Sequence, residues 1–187
     1  MSESIGGRTH AHRRARRRAA LLVGLLIALI VAGAALWQRA NPFVIETAIE
    51  IEAPPEVVWD VLTDFEAYPE WNPSLVGMTG ALEPGSTLRF ATDATDEALV
   101  FEPVVREVRR YEHLRWEGTL LITGLFDGEH SFTLEPTAAG HTLLTQAEFF
   151  RGVTVPFLTR WLTDNTKPDF IAMNEALKTR SEDSAGH

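Results

Sequence analysis

The chain has 187 residues, 45% of them hydrophobic, and no cysteine, with a formal net charge of −9. That length suits one ordinary domain with an appendage, and that apolar content excludes a disordered chain. The lack of cysteine excludes disulfides, thiolate zinc sites and a cysteine nucleophile.

The charge is unevenly placed. Residues 1–40 hold seven arginines and one glutamate, which leaves residues 41–187 with 10 basic and 25 acidic side chains, a net of −15. So acidic a body repels phosphate backbones, and no nucleic acid partner is expected.

Residues 1–18 form a basic N-terminus that ends in "RRARRR". Residues 19–37, "AALLVGLLIALIVAGAALW", carry no charge. At about 1.5 Å per residue this run spans nearly 30 Å, one bilayer core. It is expected to be a transmembrane anchor with Trp37 at its interface. Basic residues flanking a span stay inside, so the N-terminus is expected to be cytoplasmic and the body extracytoplasmic. The rival reading is a signal peptide cleaved near Ala34, at Ala32-Gly33-Ala34. The run is longer than the usual ~7–15-residue apolar region of such signals. Either reading exports the body.

Residues 38–42 read as a linker, 43–182 as the main domain and 183–187 as a disordered tail. In 43–52, Ile45, Thr47, Ile49 and Ile51 alternate with Glu46, Ala48, Glu50 and Glu52, the period of a half-buried strand. Pro54 and Pro55 suit the start of a short helix in which Val58, Leu62 and Phe65 recur at helical spacing. "FEAYPEWNP" (65–73) follows, and its prolines exclude a regular helix. Strands are then expected at 87–92, 99–111, 113–121, 129–134 and 142–150. Turns are expected at Pro84-Gly85, at Asp127-Gly128 as a hairpin, and at 136–140. Such a meander argues for an antiparallel sheet. The remainder reads as a long amphipathic helix. One stripe is Leu158, Trp161 and Leu162, a second is Phe170, Met173, Asn174 and Leu177, and a kink or break is expected at Pro168.

"IEAPPEVVWDVLTDFEAYPEWNPSL", "LRWEG", "GEHSFTLEPTAAGHTLLTQAEFFRG" and "NEALK" together resemble the START-like (SRPBCC) superfamily, in its polyketide cyclase/dehydrase-like branch. The resemblance covers approximately 44–182 and omits the apolar run. It implies an α+β helix-grip fold: a curved antiparallel sheet of about seven strands around the C-terminal helix, with an apolar cavity between. It also implies that Tyr68 and Trp71 sit near the cavity mouth and that Asn72 presents an amide to a ligand. Against this, Trp71 can simply pack the first helix on the sheet, with Pro73 directing the chain into the next strand.

No G-x-S-x-G, H-E-x-x-H, P-loop or G-x-G-x-x-G motif is present. His113, His130 and His141 lack the close helical spacing of a metal pair, so neither a metal nor a cofactor is expected. In "EHSFTLEP", His130, Phe132 and Leu134 share a face, and the apolar partners point that face inward. For "TLLTQAEFF" parity leaves both faces open. The family pattern favours Leu144, Gln146, Glu148 and Phe150 as inward. His130, Gln146 and Glu148 would then make a polar cluster in the cavity, with Trp116 as an aromatic wall and Phe132 and Phe150 lining it. His130 and Glu148 can satisfy each other or fix a ligand's polar group. They can also act as general acid and base on a carbonyl ligand, as in polyketide cyclisation and dehydration. Arg106, Arg109, Arg110 and Arg115 read as a solvated strand face. The leading expectation is a membrane-anchored domain that binds a hydrophobic small molecule or lipid. The alternatives are a cyclase/dehydratase and a partner-binding module without a ligand.

Overall fold

The computed structural model describes residues 6–91 and 99–186. Residue 92, the expected end of strand 87–92, lies outside them. The chain divides into two compact units, Met1–Asn41 and Pro42–His187. Among the described residues, the first holds helix α1 (Gly6–Ala40). Its segment Arg16–Ala40, whose most apolar 18-residue window has a mean hydropathy of 2.8, is long and apolar enough to cross a membrane.

The second unit runs β1 (Phe43–Ile51), α2 (Pro55–Thr63), α3 (Tyr68–Trp71), β2 (Val76–Thr79), β3 (Arg89–Ala91), β4 (Val100–Phe101), β5 (Val104–Arg109), β6 (His113–Thr119), β7 (Asp127–Pro136), β8 (Thr142–Arg151) and α4 (Val155–Ala185). It is a helix-grip α+β fold with a curved antiparallel sheet and a long C-terminal helix. The strands fall into a five-stranded sheet, β1-β8-β7-β6-β5, and a three-stranded one, β2-β3-β4. The expected single strand over 99–111 divides at Pro103, which has no N–H to give a ladder. Leu88 N–H donates to Pro103 O at 2.9 Å and Val105 N–H to Ser86 O at 2.8 Å, so residues 86–88 are laced to the β5 edge.

Pro55 sits in the first turn of α2, where a missing N–H removes no helix bond, and Val58, Trp59 and Leu62 face the core. The aromatic loop beyond it is not wholly irregular. Tyr68–Trp71 make one helical turn with Pro69 near its start, the position where proline is tolerated. Buried Tyr68 donates its hydroxyl to Leu62 O at 2.6 Å. Its ring meets Phe65 and Trp71 edge-on at 5.3 and 4.9 Å. The rings therefore plug the C-terminal end of α2. Burial pushes the Tyr68 phenol far above its ordinary range, so it stays a donor. Tyr68→Phe leaves a buried carbonyl without its donor and is expected to cost about 1–3 kcal/mol in urea unfolding.

Elements β7 and α4 also differ from the sequence expectation. Asp127-Gly128 begins β7 rather than making a hairpin turn. The Asp127 carboxylate instead accepts Gly124 N–H at 2.7 Å and the Thr119 hydroxyl at 2.8 Å, closing the loop before it. Helix α4 continues through Pro168. It also extends beyond 182, so 183–185 are helical rather than tail. Trp161 is 57% exposed while Leu162 is buried. Neighbouring helical residues point about 100° apart, so both cannot share one narrow stripe.

The buried stripe of α4 is Val155, Leu162, Phe170, Met173, Asn174, Leu177 and Ser181. Near its C-terminal end, Lys178 donates to Glu50 O at 2.8 Å and to the Glu182 carboxylate, and that carboxylate accepts Glu52 N–H at 2.8 Å. The buried apolar side chains form two clusters. One holds Trp116, Phe132, Leu144, Met173 and Leu177 among others. The other holds Ile45, Phe150, Val155, Leu162 and Phe170.

Candidate functional site: a buried polar seam

Strand register brings the polar residues together. His130 on β7 lies opposite Glu148 on β8 and opposite Trp116 on β6. Gln146 on β8 lies opposite Phe132 on β7 and opposite Thr47 on β1. These side chains alternate onto the face that α4 covers, because residues two apart on a strand share a face.

His130 is held on every side. Its Nδ1 is 3.0 Å from Glu148 Oε2, and its Nε2 is 3.2 Å from the Gln146 amide nitrogen. The Trp116 ring stacks on the imidazole at 4.8 Å and 5°, Phe132 lies at 4.9 Å, and Phe170 of α4 meets it edge-on at 5.0 Å. The Gln146 amide also points at Met173 Sδ, 3.8 Å away. Beside it, Asn174 of α4 donates to Thr47 Oγ1 at 2.9 Å.

The donors and acceptors follow in sequence. A carboxylate only accepts, so His130 presents Nδ1–H to Glu148. In the neutral imidazole Nε2 accepts, and Gln146 turns its NH₂ towards it. That orientation aims the Gln146 carbonyl elsewhere, and Oε1 is buried with no protein partner among the described residues. Asn174 Oδ1 is in the same condition. Gln146 is 1% exposed and Asn174 2%. Unsatisfied buried acceptors are uncommon.

Trp116, His130, Phe132, Gln146 and Glu148 are thus brought into one cluster. Phe150 packs instead with Phe43 and Phe126, ring centroids 6.4 and 5.6 Å away. Tyr68 and Trp71 form their own aromatic group beside α2. Asn72 Oδ1 accepts the N–H groups of Ser74 and Leu75 at 2.9 and 3.0 Å, a side-chain turn that leads the chain towards β2. The Asn72 Nδ2 and Trp71 indole nitrogens are buried without partners among the described residues. Asn174 and Thr47 join the site without having been expected there. Their signal is a polar residue inside an otherwise apolar row, Asn174 on the helix stripe and Thr47 on the β1 face.

The expected hollow between sheet and helix is not shown. Trp116, Phe132, Phe170 and Met173 occupy the space around His130. A groove of about 660 Å³ lies elsewhere, open on the flank of α4, lined by Thr163, Asp164, Lys167, Pro168, Ile171 and Ala172.

The opposite face of the sheet carries ion pairs. Arg115 lies 3.5 Å from Glu107 and 3.1 Å from Glu129, and Arg106 lies 3.0 Å from Glu117. Partly exposed pairs of this kind contribute about 0–1 kcal/mol each. His113 sits among them, with Nδ1 3.0 Å from Thr133 Oγ1. Burial lowers its pKa, Arg109 and Arg115 lower it further, and Glu107 and Glu129 oppose the shift. The folded state therefore favours neutral His113. Its contribution to stability is full above about pH 6.5, the unfolded value, and is lost as pH falls through the lower folded value. His113→Gln is expected to flatten the decline in urea midpoint below pH 6.5 relative to the parent chain.

Comparison with known proteins agrees with this architecture. Residues 42–182 match the family described as polyketide cyclase / dehydrase and lipid transport. Among solved structures, the di-domain aromatase/cyclase StfQ of the steffimycin biosynthetic pathway superposes with a TM-score of 0.65 at 16% identity, over 90% of this chain and 62% of that one. The chain thus spans less than two thirds of that di-domain protein. The Zhui aromatase/cyclase from Streptomyces sp. R1128 gives 0.60 at 18% identity, over 76% of this chain and 94% of that one. A START superfamily protein from Mycobacterium smegmatis gives 0.57 at 23% identity, over 75% and 97%. No curated protein matched in sequence. With the family match extending over most of its length, the chain belongs to the polyketide cyclase/dehydrase and lipid transport family.

Proposed function

We propose that this domain binds a hydrophobic small molecule or lipid between its sheet and α4, and that α1 anchors it in a membrane with the body on the extracytoplasmic side. The observation that carries the reading is the polar seam, set among aromatic rings and left unsatisfied at its inner end. An apolar guest parting Phe170 and Met173 from the sheet would gain about 25 cal/mol per Å² of buried surface. Its polar group would meet the seam.

Supply from a bilayer is supported by an apolar rim. Leu121 is 83% and Phe157 87% exposed, with Ile122 and Trp161 also exposed. The 120–126 loop and the start of α4 that carry them are joined by Thr154 Oγ1 donating to Leu125 O at 2.7 Å and by Val153 N–H donating to Gly124 O at 3.1 Å. The basic flank of α1 supports a cytoplasmic N-terminus.

The His130–Glu148 contact supports a second reading, a cyclase or dehydratase with these residues as acid and base. The carrier reading is preferred because both His130 ring nitrogens are already engaged by the chain's own side chains. Titrating the full chain in nanodiscs with lipids, quinones and aromatic polyketides while following tryptophan fluorescence tests the carrier. A saturable change that Trp116→Phe diminishes is expected. No response to any class would overturn it in favour of a partner-binding module. Turnover abolished by both His130→Ala and Glu148→Ala would favour the enzyme.

A further inference from the structure

We infer that the carbonyls of Gln146 and Asn174 form a subsite for an uncharged hydrogen-bond donor, the hydroxyl of an alcohol or phenol, on an otherwise apolar ligand. The inference rests on the carrier reading above and narrows its ligand. It adds Asn174, a residue on the helix, to a site otherwise built from strands.

The two acceptors share one neighbourhood. Gln146 lies opposite Thr47 in the β1–β8 register, and Thr47 Oγ1 is the group to which Asn174 donates. Gln146 also reaches Met173, the residue before Asn174 on α4. Each amide thus commits its NH₂ end to the protein and leaves its carbonyl end buried without a partner among the described residues.

The orientation of Gln146 is fixed from outside. In the neutral imidazole whose Nδ1–H faces Glu148, Nε2 is an acceptor, and the amide answers with N–H. Reversing the amide would set its carbonyl oxygen against that lone pair and the Met173 sulfur. The free acceptor is therefore a consequence of the His130–Glu148 contact.

This arrangement selects by chemistry. A hydroxyl can donate to either carbonyl. A carboxylate or phosphate has only lone pairs to offer and would be repelled by Glu148 as well. A methyl ether of the same shape cannot donate. An ammonium group would enter the apolar interior where Glu148 is already turned to His130, and a buried cation without a counter-charge is strongly disfavoured.

The test is calorimetric titration of the full chain in nanodiscs with 1-naphthol, 1-methoxynaphthalene and 1-naphthoate. Naphthol is expected to bind at least about tenfold more tightly than either analogue, the ratio that one added hydrogen bond supports. Gln146→Met and Asn174→Leu should each reduce that ratio towards one while methoxynaphthalene binding persists. Thermal melts show whether the variants are folded. If either is not, the three-ligand comparison on the parent chain decides. Equal affinities for naphthol and its ether, or a preference for naphthoate, would overturn the subsite and leave the carrier reading standing. Failure of all three to bind would overturn the subsite for such ligands, and the lipid and quinone titrations then decide the carrier reading.

Discussion

Trp116→Ala is expected to lower the unfolding free energy by about 3–5 kcal/mol, the range for truncating a buried large aromatic. The indole is stacked on His130, lies 5.6 Å from Phe132 and 6.4 Å from Phe90, and is buried on the sheet's inner face. Its removal opens a void among side chains that cannot all move in, because strand register pins His130 and Phe132. A domain of ordinary stability has only about 5–15 kcal/mol in total, so the variant should unfold at markedly lower urea. The same void frees one face of His130. A loss below about 1 kcal/mol would show that the interior around the seam relaxes easily and is not the close-packed region described.

Gly152→Ala is expected to be comparably damaging for a different reason. Gly152 has φ +126, a conformation close to glycine-only. A methyl group there would lie 2.4 Å from Leu125 O and 2.6 Å from Leu125 C. That carbonyl is backbone and accepts both the Thr154 hydroxyl and Thr154 N–H, at 2.7 and 3.2 Å. Nothing flexible can yield, so the loop before β7 or the start of α4 must shift. A loss of about 3 kcal/mol or more is expected, at the upper end for single substitutions. Gly128→Ala is the informative contrast. Its methyl would meet only the Glu148 carboxylate, Oε1 at 2.5 Å and Cδ at 3.6 Å, the tip of a side chain that can swing aside. The stability loss should be small, while the His130 Nδ1–H NMR signal should lose the downfield position that a carboxylate partner gives it.

The elements with strict alternation are legible in the amino-acid sequence alone. In β1, Ile45 and Ile51 are buried and Glu46 and Glu50 exposed, and in β7 the row His130, Phe132, Leu134 is buried. Period-two patterning fixes the face of such strands. Pro54-Pro55 and the 136–140 turn are legible from backbone chemistry. The departures share a cause, namely residues whose local signal is overruled by a distant partner. Asp127-Gly128 looks like a turn by itself, but its carboxylate is occupied by Thr119 and Gly124. Pro168 looks like a helix break, yet α4 runs on past it, held to the sheet by Phe170, Met173 and Leu177. Tyr68 shows how little an aromatic in a loop says about its role, since its hydroxyl is bound to a carbonyl six residues back. The placing of Gln146 and Asn174 about Thr47 has no sequence signal. They lie on different elements, and only the α4–β1 packing brings Asn174 to Thr47.

The closed interior bears directly on function. A carrier whose lining side chains touch when empty must open α4 against the sheet to load, and the seam then supplies the interaction that an apolar filling could not. The most direct test is native mass spectrometry of the full chain, released from detergent after extraction from the membranes in which it was made. The account predicts a population carrying one non-covalent apolar molecule, diminished in a Gln146→Met and Asn174→Leu double variant that still melts cooperatively. A spectrum of bare chain alone, unchanged after incubation with a total lipid extract, would contradict it.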